Sequence, residues 1–555
     1  MKDILKKDGI YLLLILLMAG FTYCGFVLFR HGFCTAYDQG YFLLKAEEAL
    51  DGILTGKSQW NFFAVDWFPY LDLTNKVHSH IASWILMFAS SVFATITLCV
   101  IKKDKKRFIK YFALVYTVLF IAYHTLACNI LTGLNYVPIH GFLLNISLCL
   151  FLLYWYVHTR WVSYLCFALS VAFAMLGCFV ILPGAALVLV SYALISILKY
   201  YRNAKTLIIH IALGVGGVVI ALLYIHYVIY DLSDIINAMQ ETAQYFTKTG
   251  LGYTPTKIII AFGRLIRSLL VCMLCYVGAY AVSELLHIKN NYLSMLIYAF
   301  CLILIAHYVP NYMTVALVCS TIFVIPALYN GWSNIKKLIK DNGLLYTFLI
   351  AYPVIASVGT NTGFDGRIHM FVMSWIIYWL ITERFASTLQ RNKIEIGIIA
   401  VALFYLTKVV GIDFVMRDDR HHFTTGREQM KEIALTEQQV RYLNDIQHIV
   451  SQYGYRPNES VVFATGPEYG VVYALEGILS SNFHQSKQFH FFDKSKMLKP
   501  DFVMMNKWES PFIDEDLSMQ PWGWPNEFDM YIVKSPSPKE DDCILYCRKS
   551  QKILE

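Results

Sequence analysis

The sequence predicts a mainly α-helical polytopic membrane protein with about thirteen transmembrane helices and a C-terminal extracytoplasmic α/β domain. Three observations predict it. Hydrophobic residues make up 57% of the 555 and charged residues 15%, with a mean hydropathy of +0.49; a soluble domain carries about a quarter charged residues. Apolar runs of spanning length recur through residues 9–414, separated by short basic connectors. Residues 415–555 lose that pattern and alternate short strand-like and helical stretches.

The apolar runs fall at approximately 9–29, 80–101, 111–128, 141–157, 162–182, 184–200, 206–229, 264–286, 292–309, 312–329, 344–359, 368–383 and 395–414. The first is longer than a signal-peptide core and no small-residue cleavage site follows it, so it reads as a helix that stays. Pro183 and Gly184 supply a turn between the fifth and sixth runs.

Basic clusters orient these spans. Lys2, Lys6 and Lys7 precede the first, and Lys102, Lys103, Lys105, Lys106, Arg107 and Lys110 follow the second. Lys199, Arg202 and Lys205 follow the sixth; Lys336, Lys337 and Lys340 the tenth; Arg384, Arg391 and Lys393 the twelfth. With thirteen spans all fall on one side, the cytoplasmic one. The loop 30–79 and the tail then lie together outside a cell inner (plasma) membrane. The formal charge of +7 sits in connectors and sets topology, so nucleic acid is not an expected partner.

In the tail, 436–453 has helical periodicity with Thr436 and Glu437 at its start, and Glu468–Leu475 reads as a further helix. Residues 460–464, 501–505, 530–533 and 543–547 read as strands. Cys543 and Cys547 stand about 13 Å apart on such a strand, too far for a mutual disulfide. The other cysteines lie in or beside apolar runs and act as small hydrophobes. His421-His422 reads as a solvated linker.

The outer side holds the candidate chemistry. Acids, histidines and aromatics crowd the 30–79 loop: Tyr37-Asp38-Gln39-Gly40-Tyr41, Glu47, Glu48, Asp66-Trp67-Phe68-Pro69, Asp72, Lys76, His78 and His80. Asp38, just past the first span, is either a solvated loop acid or a carboxylate placed to reach a lipid-linked group. Glu47 and Glu48 suit the polar face of a short helix over 41–50. His78 and His80 form a His-x-His pair that can bind metal, lie at the interface, or donate to a ligand. Other outer segments are the 128–140 turn with Asn135, Tyr136, Pro138 and His140, the 230–263 loop with a surface-lying helix, and the 361–369 turn.

The string Tyr37–Leu44 resembles the Asp-Glu-Gly-Tyr-Tyr pattern that opens the first outer loop of many C-type (GT-C) membrane glycosyltransferases. Leu50-Asp51-Gly52 and Phe63-Ala64-Val65-Asp66-Trp67-Phe68-Pro69 stand where that clan has its Leu-x-Gly-Gly and aromatic-Asp-Pro segments. The clan includes protein O-mannosyltransferases, aminoarabinose transferases of lipid A and the oligosaccharyltransferase catalytic subunit. Gln39 replaces the usual second acid, and Trp67-Phe68-Pro69 the usual Lys-Pro-Pro, so the subfamily and substrate stay open. The resemblance implies a GT-C-like domain over 1–414, with a catalytic first outer loop at 30–79, and an extracytoplasmic α/β domain over 415–555.

It further implies inverting transfer from a polyprenyl-phosphate sugar to a glycan, lipid or protein acceptor in the bilayer. Asp38 is then the base that takes the acceptor's proton. Asp66 is a second acid that orients the acceptor or, with Asp38, holds a divalent cation such as Mg or Mn. The lipid phosphate needs cations, and Arg264, Arg267, Arg367, Lys257 and Lys76 are the candidates. Arg264 and Arg267 share a helix face, with interfacial snorkelling as the alternative; Arg367 pairs alternatively with Asp365. Tyr37, Gln39, Tyr41, His78 and His80 are candidate acceptor or donor contacts. Rival functions are an O-antigen-type polymerase or ligase, which carries its large outer loop late, and a transporter or flippase, which needs repeated halves and midplane charges. The chain shows neither pattern.

Overall fold

The computed structural model describes residues 2–32, 67–124, 133–229, 255–285, 342–359, 367–383, 420–465, 468–480, 498–506, 522–536 and 542–553, with scattered single positions between them. The helices of the first part are α1 (Lys2–Leu28), α2 (Lys76–Lys102), α3 (Phe108–His124), α4 (Tyr136–Tyr156), α5 (Arg160–Cys178), α6 (Leu182–Tyr200), α7 (Ala204–Tyr224, continued by a π-turn to Ile229) and α8 (Pro255–Leu285). Two shorter ones follow, α9 (Asn342–Ala356) and α10 (Met373–Thr382). Six among the described residues are long and apolar enough to cross a membrane: Gly9–Val27, α2, α4, α5, α6 and Ala204–Ile229. The expected spans at 292–309, 312–329 and 395–414 lie outside the described residues.

The faces of these helices sort by solvent. Leu13 and Leu16 on α1, Val190 and Leu194 on α6, and Ile208 and Val215 on α7 point outward and are exposed, as lipid requires. Several polar side chains point inward and are paired. Ser147 Oγ donates to Ser170 O (2.7 Å) and pairs with Tyr192 Oη (2.9 Å). Tyr352 Oη donates to Leu144 O (2.5 Å), and Asn145 Nδ2 to Met370 O (3.2 Å). Small residues let the backbones meet: a Cβ on Gly184 or Gly217 would lie 2.4 Å from the carbonyl of Ala356 or Ala168.

Helix starts depart from the sequence reading because caps, not hydropathy, set them. Asn75 and Asn135 each accept from the amide two residues on (2.8 Å). α2 therefore begins at Lys76, and α4 begins at Tyr136 inside the expected 128–140 turn. Pro183 and Gly184 do not make the α5–α6 turn; they lie in the first turn of α6, where proline is favoured. Pro255 opens α8 for the same reason, so 255–263 belong to that helix rather than to a loop.

One end of the bundle is closed by a buried acid. Glu383, 3% exposed, lies 3.4 Å from both Lys102 Nζ and Lys110 Nζ. Lys102 also donates to Leu380 O (2.9 Å). These contacts tie α2, α3 and the end of α10.

Residues 420–553 build a mixed five-stranded sheet of order β2-β1-β3-β5-β4. The strands are β1 (Val461–Ala464), β2 (Ile478–Leu479), β3 (Phe502–Asn506), β4 (Phe528–Val533) and β5 (Cys543–Arg548). β1 pairs in parallel with β2 and β3, and β5 antiparallel with β3 and β4. α11 (Glu437–Ser451) starts in a capping box between Thr436 and Gln439. Its buried Leu443, Ile446 and Val450 join α12 (Glu468–Leu475) in the core over β1 and β3. Cys543 and Cys547 are free and buried, and burial pushes the Cys547 thiol up to about 12. The His421-His422 segment is no free linker: His421 and Leu435 exchange both backbone hydrogen bonds (3.0 and 2.8 Å), and His422 Nδ1 meets Ile433 O at 3.0 Å.

Removing one member of a buried charge cluster leaves the others unpaired, at a cost of about 3–5 kcal/mol. Glu383→Ala is expected to lower the thermal unfolding temperature in detergent markedly, and adding Lys110→Met to recover part of the loss.

Candidate active-site region

The described part of the site is a seam between the helical bundle and the sheet layer. Lys76, 5% exposed, donates from Nζ to His31 O (2.8 Å) and to Gly32 O. The start of α2 thus holds the end of α1. The sheet layer joins at the same place: Ala434 N donates to Arg30 O (2.6 Å) and Gly32 N to Ala434 O (2.8 Å). A second strip runs from Asp72 to Asn75. Asp72 accepts from the amide and hydroxyl of Thr74 (3.0 and 2.5 Å) and from Gln429 (3.4 Å). Asn75 donates to Glu432 (3.4 Å), and Tyr473 Oη donates to Thr74 O.

The two ends of the 33–66 segment are anchored here. Gly32 stands on the seam, and Trp67 donates from Nε1 to Tyr224 Oη (2.9 Å) and packs edge-on to Phe142. Leu43 and Leu44 from within the segment are buried in the sheet-layer core. Asp38, Asp66, Tyr37, Gln39, Tyr41, Glu47 and Glu48 lie outside the described residues.

Two expectations meet a different geometry. Two of the three donors of Lys76 are spent on carbonyls, so it serves as a clamp where a phosphate ligand was expected. His78 and His80 sit on the first turns of α2, where residues two apart point about 200° from each other. His80 is buried, its Nδ1 at 2.7 Å from Lys76 O and its ring 4.9 Å from Phe29, so the pair does not converge on one ion. Among the described residues no three His, Cys, Asp or Glu side chains gather to hold a metal.

The cations divide into two groups. Lys257, Arg264 and Arg267 lie on α8, spaced seven and three apart and so along one face; both arginines are exposed and Lys257 is half-buried. Arg367 is elsewhere, between α9 and α10. Its Nη2 donates to Tyr136 Oη (2.7 Å) and its guanidinium lies 4.9 Å from the centre of that ring. Its Nη1 is buried with no partner. Arg367 lines a narrow cleft with Val137, His140, Ile181, Val358 and Phe371. His140 is 3% exposed, engages the Ile181 backbone, and leaves Nε2 buried without a partner. Buried polar atoms are nearly always satisfied; the cleft offers a guanidinium donor and a ring nitrogen that are not.

Tyr136 and His140 were legible only as polar residues near an outer turn. Their role follows from α4 beginning at Tyr136, which places His140 one turn inside, beside Arg367. The Asn135 cap was the available signal.

Asp72 is held below its ordinary value of 3.8. Burial acts to raise it, and is outweighed by hydrogen bonds from Thr74 and Gln429 and by the charge of His78. A depressed carboxyl stabilises the folded state above its ordinary value, and that contribution is lost as pH falls through the folded one. The stability difference between wild type and Asp72→Asn is therefore expected to be full near neutral pH and to shrink below about pH 4, read as thermal unfolding against pH.

No protein-family model and no curated protein matches the chain. Among solved structures it is similar to a crystal structure of ArnT from Cupriavidus metallidurans in the apo state, at 11% identity and a TM-score of 0.42 over 99% of each chain. It is likewise similar to ArnT from the same organism bound to undecaprenyl phosphate, at 10% identity and a TM-score of 0.41 over 97% of this chain and 98% of that one. At these scores the likeness is one of length and outline and carries no correspondence of residues.

Proposed function

We propose that the protein is a membrane glycosyltransferase that moves a sugar from a polyprenyl-phosphate donor to an acceptor on the extracytoplasmic face, with inversion. One observation carries the reading beyond the motif around Asp38. A half-buried arginine, fixed by Tyr136, keeps one buried guanidinium nitrogen unpartnered in a cleft beside α4, whose first residue also packs against the sheet layer.

In this reading the acceptor hydroxyl attacks C1 of the donor sugar while Asp38 takes its proton. The C1–oxygen bond to the phosphate breaks, and the polyprenyl phosphate leaves with its charge balanced by Arg367, whose fork suits phosphate oxygens. His140 Nε2 accepts a hydroxyl beside the phosphate, since a neutral imidazole engaged at one nitrogen presents a lone pair at the other. Asp66 orients the acceptor. Arg264, Arg267 and Lys257 line the approach of the donor headgroup. A divalent cation would draw its oxygen ligands from Asp38 and Asp66 and would neutralise charge on the phosphate. The partition at about residue 414 into a transferase domain and an extracytoplasmic α/β domain belongs to the same proposal.

Purified protein in bilayers, given a labelled polyprenyl-phosphate sugar, should release polyprenyl phosphate. Asp38→Asn is expected to insert and unfold as wild type does but to lose release at least about a hundredfold. Arg367→Met is expected to weaken donor binding roughly 10- to 150-fold. Wild-type release by Asp38→Asn would sink the role of that carboxylate.

A further inference from the structure

The end of the bundle opposite the seam carries a second site of distinct chemistry. The chain from residue 105 to residue 230 contains no Asp or Glu. Within it, four cations stand at or beside the turns joining α4 to α5 and α6 to α7: Arg160 at the start of α5, Lys199 at the end of α6, Arg202 in the turn and Lys205 at the start of α7. All four are exposed, and among the described residues none of them meets a carboxylate. The acids described at this end are taken: Asp104 pairs with Arg107 (3.3 Å) and Glu383 with Lys102 and Lys110.

The rim is built, not incidental. Lys199 Nζ lies 3.6 Å from the centre of the Trp155 ring and 5.3 Å from those of Tyr154 and Tyr200. Trp155 is itself fixed, donating from Nε1 to Asn342 (3.1 Å). Tyr154 Oη donates to Tyr200 Oη (3.1 Å) and pairs with His210 Nε2 (3.0 Å). His210 stacks on Tyr200 at 4.5 Å and meets Tyr164 edge-on. Side chains of α4, α5, α6 and α7 are thereby locked together under the four cations, which pre-organises the lysine.

We infer that this rim binds the phosphate headgroup of an anionic phospholipid. Charge complementarity favours an anion. The surroundings favour a lipid over a soluble phosphate: Trp161 (69% exposed), Tyr201 (60%), Leu165, Leu194 and Leu198 border the cations with exposed apolar surface that acyl chains would cover. The headgroup would sit between Lys199 and the two turns while its chains run along α5 and α6. The inference is independent of the transfer reaction.

The test uses the full chain, purified and incubated with mixed micelles of phosphatidylglycerol or phosphatidylcholine, with retained lipid counted by native mass spectrometry. Wild type is expected to retain phosphatidylglycerol in preference, and to lose that preference as salt screens the headgroup. The Lys199→Gln/Arg202→Gln double variant is expected to weaken retention about thirtyfold, near fivefold for each cation, while Lys199→Arg/Arg202→Lys keeps it. Equal retention of both lipids by wild type, or undiminished preference in the neutralised variant, overturns the proposal. Should that variant unfold, Arg160→Gln/Lys205→Gln, at exposed helix starts, is read by the same criterion.

Discussion

The Lys76 ammonium is the contact on which the described site depends. A lysine buried at the start of a helix would ordinarily be costly. Here it is satisfied by the carbonyls of His31 and Gly32, just past the end of α1. That contact sets the distance between α1 and α2, and the backbone bonds through Ala434 fasten the sheet layer to the same two residues. Gly32 and Trp67, the described residues that flank 33–66, are each held in place, Gly32 by Lys76 and Ala434 and Trp67 by Tyr224 and Phe142. The burial of Leu43 and Leu44 in the sheet-layer core adds a third anchor.

The two ends of the bundle obey different electrostatics. At the seam, acids and amides meet across an interface between layers, and individual pairs such as Asp72–Gln429 are long and partly exposed. At the far end, among the described residues, charge is mostly positive, apart from Glu383 and Asp104 and their partners. Between the ends, serine, tyrosine and asparagine side chains satisfy one another or reach backbone carbonyls, which an apolar surrounding demands. Among the interior polar atoms left without a partner, the nitrogens of Arg367 and His140 share one cleft.

That cleft also separates Arg367 from the other cations. Lys76 is a clamp, and Arg264 and Arg267 are exposed on α8. Only Arg367 among the described candidates is both immobilised and left with an open donor. Its holder, Tyr136, is the first residue of α4 and packs partly against the sheet-layer core, so the orientation of the arginine is coupled to the docking of that layer.

The sequence by itself determined the apolar spans that the described helices occupy and most of the helices and strands of the tail, because these depend on local period and on the solvent each residue meets. Thr436 announced α11, and the short apolar run of residues 543–547 announced β5, for that reason. Helix starts were less legible: Asn75, Asn135 and Pro255 act through caps and backbone geometry, which hydropathy does not record. Only the tertiary structure decided which side chains meet. It brought Arg367 to Tyr136 and His140 across more than two hundred residues, set His78 and His80 on different faces of one helix, and held Lys76, a candidate phosphate ligand, on two backbone carbonyls. Such pairings are set by which helices pack and at what depth, and no local pattern carries that information.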